Sequence, residues 1–98
     1  MSWDAVSYVI RSKVRKGVLI KLESPKTPTI LAHELHTSMP NISRALHELL
    51  SKELVECITP KARVGKIYRN TRKGKETLLK IKQMEGHSSA LGTEVSHG

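Results

Sequence analysis

A chain of 98 residues with 17 Lys and Arg against 9 Asp and Glu carries a formal net charge of +8 and a pI near 9.9; it has room for one domain with a modest core. That charge favours an anionic partner, nucleic acid before a membrane surface, although a generically basic solvated protein shows the same total. The lone Cys57 excludes an intrachain disulfide, the absence of a long apolar run or a signal-peptide pattern at the first residues argues for a cytoplasmic protein with no membrane partner, and three aromatic residues (Trp3, Tyr8 and Tyr68) are too few for base stacking on single strands.

Apolar residues at 3, 6, 9 and 10 predict a first helix, with Ser2 as a candidate N-cap and Asp4 in the first turn, where the helix dipole favours an acid. A second apolar series, Val14, Val18, Leu19 and Leu22, runs on to Glu23, and Ser12 and Gly17 mark a kink or a restart. Ser24-Pro25-Lys26-Thr27-Pro28 breaks the pattern and can hold a short extended piece, since residues before proline avoid the helical region. Thr29 is the candidate cap of the next helix and Ser38 of the one after. Pro40 falls in the first turn of that later helix, where its missing N–H costs nothing.

Residues 28–46, PTILAHELHTSMPNISRAL, read as a helix-turn-helix. Leu31, Ala32 and Leu35 form one apolar stripe, and Ile42, Ala45, Leu46, Leu49 and Leu50 resume it after the break at His36-Thr37-Ser38. Ala32 is small enough to let two helices cross closely. The second helix keeps a polar side with Asn41, Ser43, Arg44 and His47, groups able to bond base edges and phosphates. A helical hairpin with no nucleic-acid role has the same apolar pattern.

Downstream, 54–59 and 66–71 are rich in strand formers and are joined by a basic turn over 60–65, which predicts a hairpin eased by Gly65. Between positions 61 and 75 lie seven basic residues and no acid: Lys61, Arg63, Lys66, Arg69, Arg72, Lys73 and Lys75. Thr71 is the cap of a last helix from 72 to about 84, with Leu78, Leu79 and Ile81 apolar. Residues 85–98 lack a period and are read as a disordered tail behind a domain of 1–84.

The predicted class is therefore mainly α with a small antiparallel β-hairpin, in the order of a winged helix-turn-helix. TPTILAHELHTSMPNISRALHELLSKELVECITP and YRNTRKGKETLLKI resemble the archaeal and bacterial winged-helix transcriptional regulators of the MarR/ArsR type over about residues 3 to 84. The first segment is similar to that family's helix-turn-helix running into a wing strand, the second to its second wing strand and a Thr-x-x-Gly helix start. The resemblance implies a recognition helix over about 38–50 in the major groove, with Ser38, Met39, Asn41, Ser43 and Arg44 facing groove or phosphate; His47, on the polar side of the same helix, is a further candidate for phosphate. It implies a wing over about 60–66, with Lys61, Arg63 and Lys66 on the backbone or in the minor groove. His36 stands where such motifs commonly carry Gly, because the backbone there often needs positive φ, a region histidine tolerates better than branched residues.

Some ArsR-type relatives sense metals, yet His33, His36 and His47 have no Cys pair or His-x-x-x-His beside them, so no metal site is expected. Cys57 reads as a small strand residue rather than a redox sensor. The acids are scattered, and no nucleophile-base pair or phosphate-binding glycine loop is present, so neither catalysis nor a cofactor is expected. The first helix carries more apolar material (Trp3, Val6, Val9, Ile10, with Val14 beyond) than one core face needs; all of it can be core, or part of it can form the homodimer contact that the resemblance implies for the first and last helices. The expected function is sequence-specific binding of double-stranded DNA by a transcriptional regulator. A winged-helix module that binds protein or RNA is the alternative, since fold does not decide function.

Overall fold

A computed structural model describes the backbone over residues 3–96 and the side chains over 4–85. The elements run α1 (Trp3–Ile10), α2 (Lys13–Lys21), α3 (Pro28–Glu34), α4 (Met39–Ser51), β1 (Val55–Cys57), β2 (Tyr68–Asn70) and α5 (Arg72–Ser96). This is the expected mainly α winged helix with an antiparallel hairpin.

The local chemistry explains most of the boundaries. Chain direction changes at Ser12, whose hydroxyl accepts from the Arg15 N–H at 3.2 Å and starts α2; the helix then continues through Gly17. The N-cap of α3 is Thr27 rather than the expected Thr29: its hydroxyl accepts from the Ile30 N–H at 3.3 Å, and Pro28 takes the first helical position. The expected cap at Ser2 lies outside the described residues. The loop into α3 supplies a third edge to the sheet. Lys26 and Tyr68 exchange backbone hydrogen bonds of 3.1 and 2.9 Å, so the extended piece predicted before Pro28 is tied to β2.

Helices α3 and α4 end alike. In α3 the His36 N–H reaches His33 O at 3.3 Å and the Thr37 N–H reaches Ala32 O at 3.0 Å; in α4 Glu53 reaches Leu50 O and Leu54 reaches Leu49 O, both at 2.9 Å. Both are Schellman closures, which need a left-handed residue just past the helix. His36 (φ 53°) and Glu53 (φ 61°) fill those positions.

The hairpin pairs Val55 with Asn70, Glu56 with Arg69 and Cys57 with Tyr68. Two further bonds lengthen its arms: Ile58 N–H to Ile67 O and Ile67 N–H to Thr59 Oγ1, both 2.8 Å. Gly65 turns the loop at φ 67°. Thr71 then starts α5, its hydroxyl accepting from the Gly74 N–H at 3.0 Å and donating to Glu53 O at 2.6 Å. An added Cβ at Gly74 would stand 2.0 Å from Leu54 O, so the start of α5 lies directly against the entry to β1.

The core gathers Val6 and Val9 of α1, Val18, Leu19 and Leu22 around α2, Leu31 of α3, Ile42, Ala45, Leu46 and Leu49 of α4, Leu54 and Val55 at β1, and Leu78 and Ile81 of α5. Leu79, expected with the apolar side of the last helix, is instead 56% exposed. Of the surplus apolar residues on α1, Ile10 is 44% exposed and Val14 is packed on the core edge, while the side chain of Trp3 lies outside the described residues. The backbone of α5 continues as helix to Ser96, beyond the expected end near Met84.

Candidate nucleic-acid interface

Helix α4 presents the candidate recognition residues because four buried side chains fix its rotation. With Ile42, Ala45, Leu46 and Leu49 turned inward, the 3.6-residue period points positions 40, 44, 47 and 51 most directly outward. Ser43 falls on one flank, Asn41 and Glu48 on the other. Ser38, Met39, Asn41, Ser43, Arg44 and His47 are all exposed.

Ser38 has the extended backbone of an N-cap (φ −82°, ψ 157°), yet its hydroxyl makes no capping bond. The Asn41 amide donates to Thr37 Oγ1 at 2.9 Å, which orients that side chain at the start of the helix. Arg44 has no ion-pair or hydrogen-bond partner among the described residues; Glu48, the acid one turn on, is held by Arg15 at 2.9 Å instead. His47 and Ser43 line a notch of about 160 Å³ with Pro28, Leu46, Leu50 and Tyr68. Burial pushes the Tyr68 phenol above its ordinary pKa, with the neighbouring Cys57 adding to the shift.

The wing residues stand on a separate element, the loop joining β1 to β2. Lys61 and Arg63 are exposed and Lys66 is half-buried; none has a charged partner among the described residues. Val64, between Arg63 and the Gly65 turn, is 86% exposed. The basic run from 61 to 75, continuous in sequence, is divided in space. Its first three cations ride on the wing, Arg69 pairs across the hairpin with Glu56 at 2.7 Å, Lys73 lines a groove with Asp4, Ala5 and Lys52, and Lys75 lines another with Glu23 and Lys82.

A further cation lies near the start of α4. Lys13, at the first turn of α2, lines a groove of about 250 Å³ with Val14, Leu35, His36 and Thr37, and Thr37 is the residue bonded to Asn41. The neighbouring Arg11 is exposed and has no partner among the described residues. Sequence reasoning passed over these two, although positions 5–22 hold five basic residues and no acid. Among the described residues no group of three His, Cys, Asp or Glu side chains is close enough to hold a metal ion, and no helix is long and apolar enough to cross a membrane.

No protein-family model and no curated protein matches the chain. Solved structures do. A MarR family transcription regulator, SP03579, superposes with a TM-score of 0.79 at 26% identity over 93% of this chain and 65% of its own. The transcriptional regulator BldR from Sulfolobus solfataricus gives 0.70 at 26% over 81% of this chain and 58% of its own. The transcriptional regulator Tm0710 from Thermotoga maritima gives 0.64 at 25% over 87% and 65%. The chain thus spans about three-fifths of the length of these neighbours. In the order of its elements the chain is a winged helix, and its fold is similar to that of MarR family transcription regulators.

Proposed function

We propose that the chain is a DNA-binding transcription regulator, with α4 as the recognition helix in the major groove and the 60–66 wing on the backbone. The observation that carries this is the polar face of α4. Its exposed Ser43, Arg44 and His47 side chains have no partner among the described residues and Asn41 is held only by Thr37, while two acids are engaged: Glu48 by Arg15 and Glu34 by Lys26. Positions 38, 39, 41, 43, 44 and 47 face the DNA, Asn41 and Arg44 as base readers and the others at groove wall or phosphate. Lys61, Arg63 and Lys66 contact phosphate from the wing, and Lys13 does so from the opposite flank. Residues 1–84 are the DNA-binding unit and 85–98 an appendage to it, and the protein acts where its DNA is, in the cytoplasm. Two copies form the active species through α1 and α5, which places two recognition helices about 34 Å apart on one face of the duplex.

Selection of bound fragments from a random duplex pool tests this, followed by titration at several salt concentrations. A preferred site is expected. Replacing Lys61, Arg63 and Lys66 together by Ala should weaken binding to all duplexes about equally and reduce the slope of log affinity against log salt by about 0.9 per lost phosphate contact. An unchanged slope removes the wing from the interface. A wild-type protein that prefers no duplex sequence returns the fold to the interaction-module alternative.

A further inference from the structure

Arg15 is the one basic side chain of α2 that turns inward, and it joins three helices. Its Nε donates to the Tyr8 carbonyl of α1 at 2.8 Å, its Nη1 to Glu48 Oε1 of α4 at 2.9 Å, and its guanidinium lies 4.0 Å from the centre of the Tyr8 ring. The Lys52 ammonium, just past α4, stands 5.1 Å from the same ring. Only 13% of the Arg15 side chain is exposed.

Each bond answers a local need. Tyr8 O belongs to the last turn of α1; the N–H groups of Arg11 and Ser12 go to Ser7 O and Val9 O, which leaves Tyr8 O open to a cation. Glu48 stands in the last turn of α4, where the helix dipole disfavours an acid. An acid in that place is compensated by the cation it holds. Helix α1 packs chiefly on α2 and α5, and α4 on α2 and α3, so the guanidinium provides a polar bridge from the first helix to the fourth.

We propose that Arg15 is a positioning residue for the recognition helix: by gripping the α1 backbone and the Glu48 carboxylate at once, it makes the pose of α4 follow that of α1. The proposal rests on the DNA-binding reading for its functional consequence, and on the free protein for its mechanism. A displacement of α1, as on self-association, is then carried to the helix that reads the groove without any shift in the core.

The test uses Arg15→Ala, Arg15→Lys and Glu48→Gln. In the free, folded full-length protein, amide exchange of 8–11 and 48–52 should rise together in Arg15→Ala, with 31–35 and 77–81 unchanged. On DNA, affinity for the selected site should fall about five- to tenfold, in the range of couplings within one ion-pair network, more than for random duplex. The salt slope should stay the same, because Arg15 meets no phosphate. Glu48→Gln should reproduce the loss at native-like stability, and Arg15→Lys, which keeps the charge without the planar fork, should restore it only in part. Exchange that rises uniformly, or a specific-to-random ratio equal to wild type in folded Arg15→Ala and Glu48→Gln, overturns the proposal. If the wild type prefers no duplex, the regulator reading falls, and the exchange pattern alone still decides whether the bridge couples α1 to α4.

Discussion

Backbone geometry, at the scale of single residues, accounts for positions whose side chains look unremarkable. Gly74 matters for what it lacks. With Leu54 O 2.0 Å from where a Cβ would sit, Gly74→Ala must push the start of α5 away from β1 and strain the Thr71 bonds. It should cost about 3 kcal/mol or more, a fall in Tm of roughly 15 °C for a domain of this size. Thermal unfolding of the variant checks this; a Tm near wild type means the junction yields more easily than its geometry indicates. His36 and Glu53 are the opposite case. Each holds a left-handed conformation that Gly adopts without steric cost, so His36→Gly and Glu53→Gly should each stabilise by about 0.5 kcal/mol, read as a raised denaturant midpoint at unchanged slope. The His36 conformation was legible in the sequence, because the turn of a helix-turn-helix asks for it. That of Glu53 was not: a charged residue after Ser51-Lys52 has no local mark, and only the pairing of Leu54 with Leu49 demands it. Asn70 was equally hidden. It reads as a polar strand residue, yet it is buried, and its amide donates to Leu19 O at 3.0 Å, tying β2 to α2. A contact between positions 51 apart in sequence leaves no periodic trace.

Elements were more legible than the bonds that finish them. The stripes of α1, α3 and α4 and the two strands came from apolar spacing, which reports burial directly. Their caps depended on which of several hydroxyls reaches an amide. The stretch SPKTPT over 24–29 offers several; Thr27, not the expected Thr29, caps α3 because Pro28 then occupies the first helical position. At α4 the cap residue was right by position, but its hydroxyl is unengaged. The three hydroxyls therefore separate stability from binding. Ser12→Ala and Thr27→Ala should each destabilise by about 1 kcal/mol, whereas Ser38→Ala should leave the denaturant midpoint nearly unchanged and lower DNA affinity if the hydroxyl meets a phosphate. A stability loss at Ser38 equal to the other two would show that it caps in solution. On the same helix, Asn41→Ala should lower affinity for the selected site far more than for random duplex, by about 1–3 kcal/mol of discrimination, while Arg44→Ala should lower both. Neither side chain is on the buried stripe, so both variants should fold. An unchanged specific-to-random ratio for Asn41→Ala removes base reading from that position.

For the molecule as a whole, the cations divide between those left unpaired and those tied to acids. Unpaired cations gather on the wing and at the first turn of α2, whereas several cations of α2 and α5 are spent on intramolecular acids: Lys16 pairs with Glu85, and Lys82 with Glu23. These pairs fasten α5 to the α2 side of the body. Beyond them the apolar line of α5 continues past the core. Thr77 and Ile81 are buried, but Met84, on the same side of the helix, is 41% exposed, as is Ile10 of α1 at 44%. A second copy is the occupant proposed for this surface. At micromolar concentration the wild type should sediment at about twice the 11.0 kDa chain mass. Ile10→Glu with Met84→Glu should sediment at the chain mass without loss of helix content, since neither residue belongs to the buried core and a charge desolvated between two copies has no partner. The same variant should bind a duplex holding two half-sites more weakly than wild type yet match it on a single half-site, because only the linkage between recognition helices is lost. A wild type that stays at the chain mass with and without DNA sinks the dimer and the spacing of about one helical turn that follows from it; a double variant that remains dimeric moves the contact away from Ile10 and Met84.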